Sequence, residues 1–227
     1  MRFLDLPERV AEVRGRIDAA AVRGGHGQQV RIVAVTKTFG TEAVTASWQA
    51  GLTDVGENRV QEAIAKKRAI DAPVRWHLIG HLQRNKLKHL PEFDLVHSLD
   101  SLRLAEAVDD AAREGERAVA MLVQVNVAGE ETKGGFEPSE VSEVAARLAE
   151  MSGIRICGVM TMAPFDAAEG RLREVFSAAR RVRAQLVSAG HAATELSMGM
   201  SGDYEIAVEE GATCVRLGTL LFGVRPR

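Results

Sequence analysis

Hydrophobic positions along the chain follow two rhythms that alternate. Leu6, Val10, Val13, Ile17 and Ala20 recur at helical spacing over the first 25 residues. Asp5 and Glu8 read as a capping-box start to that helix, and Gly24 and Gly25 as its stop. Residues 31–36, RIVAVT, form a β-branched run of strand length that ends at Lys37. Short strand candidates follow around Asp54 and at 74–79, 95–97, 119–126, 154–160, 195–197 and 213–217, giving eight in all. Helical patterns lie between them. In residues 139–151, Val141, Val144, Ala145 and Leu148 share one face after Pro138 and before Gly153. Leu172, Val175, Phe176, Ala179, Val182 and Leu186 repeat the pattern ahead of Gly190.

Strands alternating with helices predict a parallel sheet, and apolar strand interiors predict a sheet covered on both faces. Eight such units in 227 residues predict an α/β fold, a single (β/α)8 TIM barrel. The candidates around Asp54 and Glu195 are very short, so an open seven-strand sheet is the competing reading. One domain over 1–227 is expected, with residues 1–25 as an N-terminal helix packed on the barrel.

Composition narrows the partners. The chain is 46% hydrophobic and 26% charged, enough for a sizeable core. Its 29 basic and 31 acidic side chains leave a formal charge of −2, which gives no electrostatic case for nucleic acid or an anionic membrane. The longest apolar run, 118–123, is far short of a membrane span, and no secretory or basic transit segment follows Met1. Cys157 and Cys214 sit in apolar runs as small buried hydrophobes, consistent with a reducing cytoplasm. A monomer with a small-molecule partner is expected.

In a barrel, function collects at the C-terminal ends of the strands. Those ends read Lys37, GENRVQE (56–62), GHLQRNK (80–86), HSLDS (97–101), NVAGEETKGGF (126–136), TMAP (161–164), SMGMS (197–201) and RLGT (216–219). The last two combine glycine, hydroxyls and backbone donors where a phosphate cradle is usual in this fold. Ser201 would N-cap the helix through Glu205 and Val208, Gly218 would let the backbone approach phosphate oxygens, and Thr219 would add a donor. The competing reading is plain turns and caps.

Lys37 shares side-chain parity with Val33 and Val35 and is expected to point into the barrel mouth. Lowering a lysine pKa by about three units takes roughly 4 kcal/mol, which desolvation and a cation such as Arg216 could supply, making Lys37 a nucleophile toward a carbonyl. A rim or phosphate-binding lysine is the alternative. His77, His81, His89 and His97 lack metal spacing and are assigned structural or supporting roles, and no dinucleotide fingerprint is present. Met198 and Met200 could flank a flat aromatic ligand or simply fill core gaps. Lys66, Lys67, Arg68 and Lys86 read as a solvated helix face rather than a phosphate site.

Taken in order, these segments resemble the YggS/PROSC family of pyridoxal phosphate homeostasis proteins. The matching blocks are VAVTK around Lys37, GENRVQE, WHLIGHLQRNK, HSLDS, NVxxExxKxG over 126–135, GVMTMAP, and residues 196–223. His81, Arg84 and Arg59 depart from residues frequent in those blocks. The resemblance implies a barrel similar to the N-terminal domain of alanine racemase, binding pyridoxal 5′-phosphate as an aldimine on Lys37. It implies phosphate contacts at Ser201, Gly218 and Thr219, Arg216 beside the pyridine nitrogen, and Asn58 and Met198 facing the ring. The implied function is intracellular vitamin B6 and amino-acid homeostasis without dedicated turnover, with PLP-dependent apoenzymes as recipients. A weak amino-acid racemase is the enzymatic alternative. It needs a second base, and the only tyrosine is Tyr204, with His77 or His81 as substitutes. A lysine aldolase without cofactor ranks last.

Overall fold

The computed structural model describes residues 3–115, 117–130 and 134–223. Its strands are β1 (Arg31–Val35), β2 (Asp54–Glu57), β3 (Arg75–Leu78), β4 (Leu95–Leu99), β5 (Val119–Gln124), β6 (Ile154–Met160), β7 (Glu195–Ser197) and β8 (Cys214–Leu217). All neighbours pair in parallel, and β8 returns to β1 to close the barrel. The open seven-strand alternative is thereby corrected: the short strands β2 and β7 are full members of the ring.

The helices are α1 (Leu6–Gly24), α2 (Thr41–Gln49), α3 (Val60–Ala69), α4 (Leu102–Glu114), α5 (Val141–Ala149), α6 (Glu169–Ser188), α7 (Tyr204–Glu209) and α8 (Thr219–Phe222), with a 3₁₀ helix, Arg84–Glu92, between β3 and β4. Strand parity divides the core. Outward residues such as Ile32, Ala34, Val55, Leu196 and Val215 pack with the helices in one large cluster. A smaller inner cluster of Leu95, Leu122, Cys157 and Met160 fills the barrel.

Helix α1 buries Leu6, Val10, Val13, Ile17 and Ala20, the face its spacing predicts, against α7 and α8. Gly25 ends it in the left-handed conformation. The capping box does not form: the Asp5 side chain makes no cap bond and pairs with Arg9 one turn on. Arg16 and Arg23 reach from α1 to Glu205 and Glu209 on α7. Phe3 stacks edge-on with Phe39 and Phe222 at 5.9 and 5.4 Å, joining the start of the chain to the loop after β1 and to α8.

At the N-terminal mouth Arg75 binds Asp54 at 2.7 Å and Arg31 binds Glu195 at 2.7 Å, around a hollow of about 400 Å³. These charges are mutually compensated, as suits the stabilising end of this fold. No helix among the described residues is long and apolar enough to cross a membrane.

Candidate functional site at the C-terminal mouth

The parallel register carries Lys37, Asn58, Ser201, Arg216, Gly218 and Thr219 to the C-terminal side of the ring. Val33 pairs with Arg216 and Ala34 with Leu217, so Gly218 comes up beside Val35 and Lys37 follows just beyond on β1. A Cβ built on Gly218 would lie 3.5 Å from the Val35 Cβ. Lys37 is half-buried there. Asn58 is exposed at the end of β2. Its backbone is crossed closely by the loop after β3: a Cβ on Gly80 would fall 2.3 Å from the Asn58 carbonyl oxygen, so only glycine fits.

The loops after β7 and β8 are stitched together by Ser201. Its Oγ accepts the N–H of Gly218 at 3.4 Å and of Leu220 at 3.3 Å. This corrects the expectation that Ser201 caps the helix that follows it. Asp203 takes the N-cap position of α7, with its carboxylate on the Met200 N–H, and Ser201 instead caps α8 across the gap between loops. The N–H groups of Ser201, Gly202 and Thr219 have no acceptor among the described residues. Together they present backbone donors of the kind that binds anions.

Gly199 turns the chain at φ +91°, where a Cβ would lie 2.6 Å from that of Ala207. Met198 before it is fully buried in the large outer cluster, so its side chain seats the loop and presents no face to the mouth as it stands. Met200 is the exposed one of the pair.

Arg216 projects from β8 into the barrel and is buried. Its Nη1 donates to the Ser197 carbonyl at 2.9 Å and to Ser197 Oγ at 2.6 Å, and its Nη2 to the Thr161 carbonyl at 3.0 Å. No carboxylate lies within ion-pair distance among the described residues, and its Nε–H has no acceptor. Burial pushes the guanidinium pKa down from its ordinary value, yet an arginine stays charged.

Below Arg216 a polar file descends the barrel. Ser197 Oγ lies 3.0 Å from His97 Nδ1, His97 Nε2 is 2.9 Å from His77 Nδ1, and His77 Nε2 is 2.9 Å from Asp54 Oδ1. Burial, then the electrostatic influence of His77, Arg216 and Arg31, holds the His97 pKa well below its usual value, so His97 is neutral. Burial alone would raise the Asp54 pKa, but bonds from His77, Arg75 and Thr53 outweigh it and keep the carboxylate ionised. The expectation for the fourth block is corrected here: β4 runs on to Leu99, so His97 belongs to the strand and the barrel interior rather than to a rim loop. Sequence reading gave these histidines supporting roles without locating their partners.

The rim holds His81, exposed, with Nδ1 3.0 Å from Asp100 Oδ2. Arg59 and Arg84 are exposed beside it. In the fifth loop, Glu131, Thr132 and Lys133 lie outside the described residues; Asn126 closes its start by bonding Glu130 through both side-chain atoms. Tyr204 is buried beneath α1, with the Arg16 guanidinium 5.6 Å from its ring centre, and its hydroxyl has no hydrogen-bond partner among the described residues. It does not face the mouth.

Residues 16–226 match the family model described as alanine racemase, N-terminal domain. The chain is 40% identical over 222 residues to the pyridoxal phosphate homeostasis protein of Aquifex aeolicus, covering 96% of this chain and 97% of that one. To the protein of the same name from Escherichia coli K12 it is 35% identical over 230 residues, covering 97% of each. Among solved structures, PipY of Synechococcus elongatus with PLP bound superposes with a TM-score of 0.84 at 36% identity, over 96% of this chain and all 100% of that one. Alanine racemase of Clostridium difficile in complex with cycloserine gives 0.79 at 16% identity, covering 99% of this chain and 61% of the racemase, a likeness of fold alone.

Proposed function

This chain belongs to the pyridoxal phosphate homeostasis protein family, and on that premise we propose that it holds pyridoxal 5′-phosphate at the C-terminal mouth, covalently through the Lys37 amine. In this reading it limits the free aldehyde inside the cell and supplies PLP-dependent apoenzymes, serving vitamin B6 and amino-acid homeostasis without turnover of its own.

The residues of the mouth fit such a group. Ser201, Gly202 and Thr219 offer uncommitted N–H donors, and Gly218 has no side chain to keep a phosphate away. The Ser201 hydroxyl hydrogen is still available to donate, because its oxygen serves as acceptor for Gly218 and Leu220. The cofactor, when bound, supplies an aldehyde reactive toward amines and a ring that can spread charge.

The observation that carries the reading is Arg216, a buried cation with oxygen partners, no carboxylate, and an N–H left over. A guanidinium only donates, so a ring nitrogen accepting from Arg216 stays unprotonated. An unprotonated ring is a weak sink for a carbanion, which favours holding over turnover. Lys37 carries the amine, and the exposed amide of Asn58 offers a polar contact from β2.

A racemase needs a second acid or base on the face opposite the lysine. Tyr204 lies under α1 and His77 is committed to the interior file, which leaves His81, oriented by Asp100, for the enzymatic alternative. The two readings separate on one preparation. Protein loaded with PLP and dialysed is expected to retain the cofactor stoichiometrically and to interconvert L- and D-alanine no faster than its Lys37→Ala variant. Racemisation abolished by His81→Ala would assign the enzymatic reading instead.

A further inference from the structure

Behind the mouth, on the outward side of β1 and β2, lies a buried charge cluster that the cofactor site does not use. Lys66 of α3 is not the solvated residue its Lys66–Lys67–Arg68 run suggests: its side chain is 7% exposed. Its Nζ donates to Glu57 Oε1 at 2.7 Å, to Glu62 Oε1 at 2.8 Å and to the Thr36 carbonyl at 2.9 Å. Thr36 Oγ1 donates to the same Glu57 oxygen at 2.6 Å, and the Thr38 N–H donates to Glu62 Oε1 at 2.8 Å. Lys67 instead bonds the Glu92 carbonyl at 2.8 Å, so the run serves structure rather than forming one basic patch.

Thr36 and Thr38 are the residues on either side of Lys37. Thr38 has φ +70°, one of two non-glycine residues in the left-handed region among those described. A β-branched side chain is rare there and persists only where its surroundings hold it. The holding group is visible: the Glu62 carboxylate takes the Thr38 N–H, and Lys66 takes both Glu62 and the Thr36 carbonyl. The cluster is electrically matched to that task. Burial raises the Glu57 pKa, whereas for Glu62 the bonds from Lys66 and Thr38 outweigh burial and lower it.

We propose that Glu62 and Lys66 are positioning residues for Lys37: they fix the backbone before and after it and thereby aim its amine into the mouth. This rests on the reading of Lys37 as the amine that captures the aldehyde. In that capture the amine nitrogen bonds to the aldehyde carbon, the carbonyl oxygen leaves as water with both amine hydrogens, and nothing is oxidised or reduced. Aim matters for such a step because a displacement of about 1 Å can slow a reaction by about a hundredfold without weakening the binding of the rest of a ligand.

The test separates aim from binding. Pyridoxine 5′-phosphate has the phosphate and ring but no aldehyde, so calorimetry with it reads the cradle alone, and stopped-flow absorbance with PLP reads covalent capture. Glu62→Ala removes the acceptor of the Thr38 N–H; Glu62→Gln keeps an oxygen there while giving up the charge. Glu62→Ala is expected to slow capture by about tenfold or more while pyridoxine 5′-phosphate affinity stays within about twofold, with Glu62→Gln recovering a large part of the rate. Capture at the unmodified rate in Glu62→Ala overturns the proposal. So does a parallel loss of capture and pyridoxine 5′-phosphate affinity, which would mark a purely structural cluster. Failure of the unmodified protein to capture PLP at all would instead count against the role of Lys37.

Discussion

His77 and His97 meet nitrogen to nitrogen at 2.9 Å in the middle of the barrel, and that contact joins Asp54 to Ser197 and Arg216 in one hydrogen-bonded file between the two mouths. One ring must donate and the other accept. Asp54 is ionised and can only accept, so His77 Nε2 carries a hydrogen toward it. A neutral His97 donates through one ring nitrogen and accepts through the other, with His77 on one side and Ser197 on the other, and the Ser197 oxygen accepts from Arg216. Arg216 is thus held by neutral groups, with its balancing carboxylate at the far end of the file.

The buried neutral His97 makes stability depend on acid. The unfolded chain binds a proton at this residue near pH 6.5, whereas the folded chain resists it. Protons therefore favour unfolding: the contribution of His97 is intact above about pH 6.5 and falls below it, by up to about 1.4 kcal/mol per pH unit. Asp54 acts in the same direction only below its unfolded value of 3.8, and the raised Glu57 acts oppositely. Urea melts of the protein and His97→Gln between pH 7.5 and about 5 cancel both of those terms. The protein is expected to lose stability with the steeper slope; equal slopes would contradict a neutral His97.

Ser197→Ala cuts the file where it meets Arg216. It leaves His97 Nδ1 without its hydrogen-bond partner and removes one of the oxygens on Nη1, both in a buried setting. A loss of about 1–3 kcal/mol is expected in denaturant unfolding, the cost of unsatisfied buried polar groups.

The two loop glycines should fail differently. Gly199 sits at φ +91° with the Ala207 Cβ 2.6 Å from its own added Cβ, so Gly199→Ala is expected to cost about 2 kcal/mol or more in thermal unfolding. Gly218 has ordinary van der Waals room beside Val35, so Gly218→Ala should melt nearly as the unmodified protein does. Its new methyl, however, would stand against the phosphate, and PLP affinity measured by dialysis should fall about tenfold or more, equivalent to about 1.4 kcal/mol.

Ser201→Ala tests the stitch between the loops. Two backbone donors, of Gly218 and Leu220, lose their acceptor, and the cap of α8 goes with it. A stability loss of about 1 kcal/mol is expected from the missing cap, with a larger relative loss of affinity for inorganic phosphate and PLP.

The barrel was legible because parallel strands buried on both faces write themselves as apolar runs, and even β2 and β7 were marked by the regular alternation around them. Parity gave the place of Lys37 just past β1 and left its role open between nucleophile and rim lysine, and glycine with hydroxyls marked the loops after the last strands. What escaped depends on pairs that only closure of the ring creates. His97 meets Ser197 a hundred positions away, so no local pattern announces the file. Ser201 looked like the cap of its own helix because its true partners lie 17 and 19 residues on. Lys66 read as solvated because its burial depends on Glu57, a carboxylate pointing outward from a strand. Met198 follows strand alternation: one residue past the inward-facing Ser197 it packs in the outer cluster, which its place beside Gly199 did not reveal.

The most direct test is to load the protein with PLP, dialyse it, reduce it with borohydride, and locate the pyridoxyl adduct by peptide mass mapping, with Lys37→Ala treated alongside. A single adduct on Lys37, with a visible absorption band that the variant lacks, is the expected result. An adduct on another lysine, or none, would contradict the covalent role of Lys37 on which the proposed function rests.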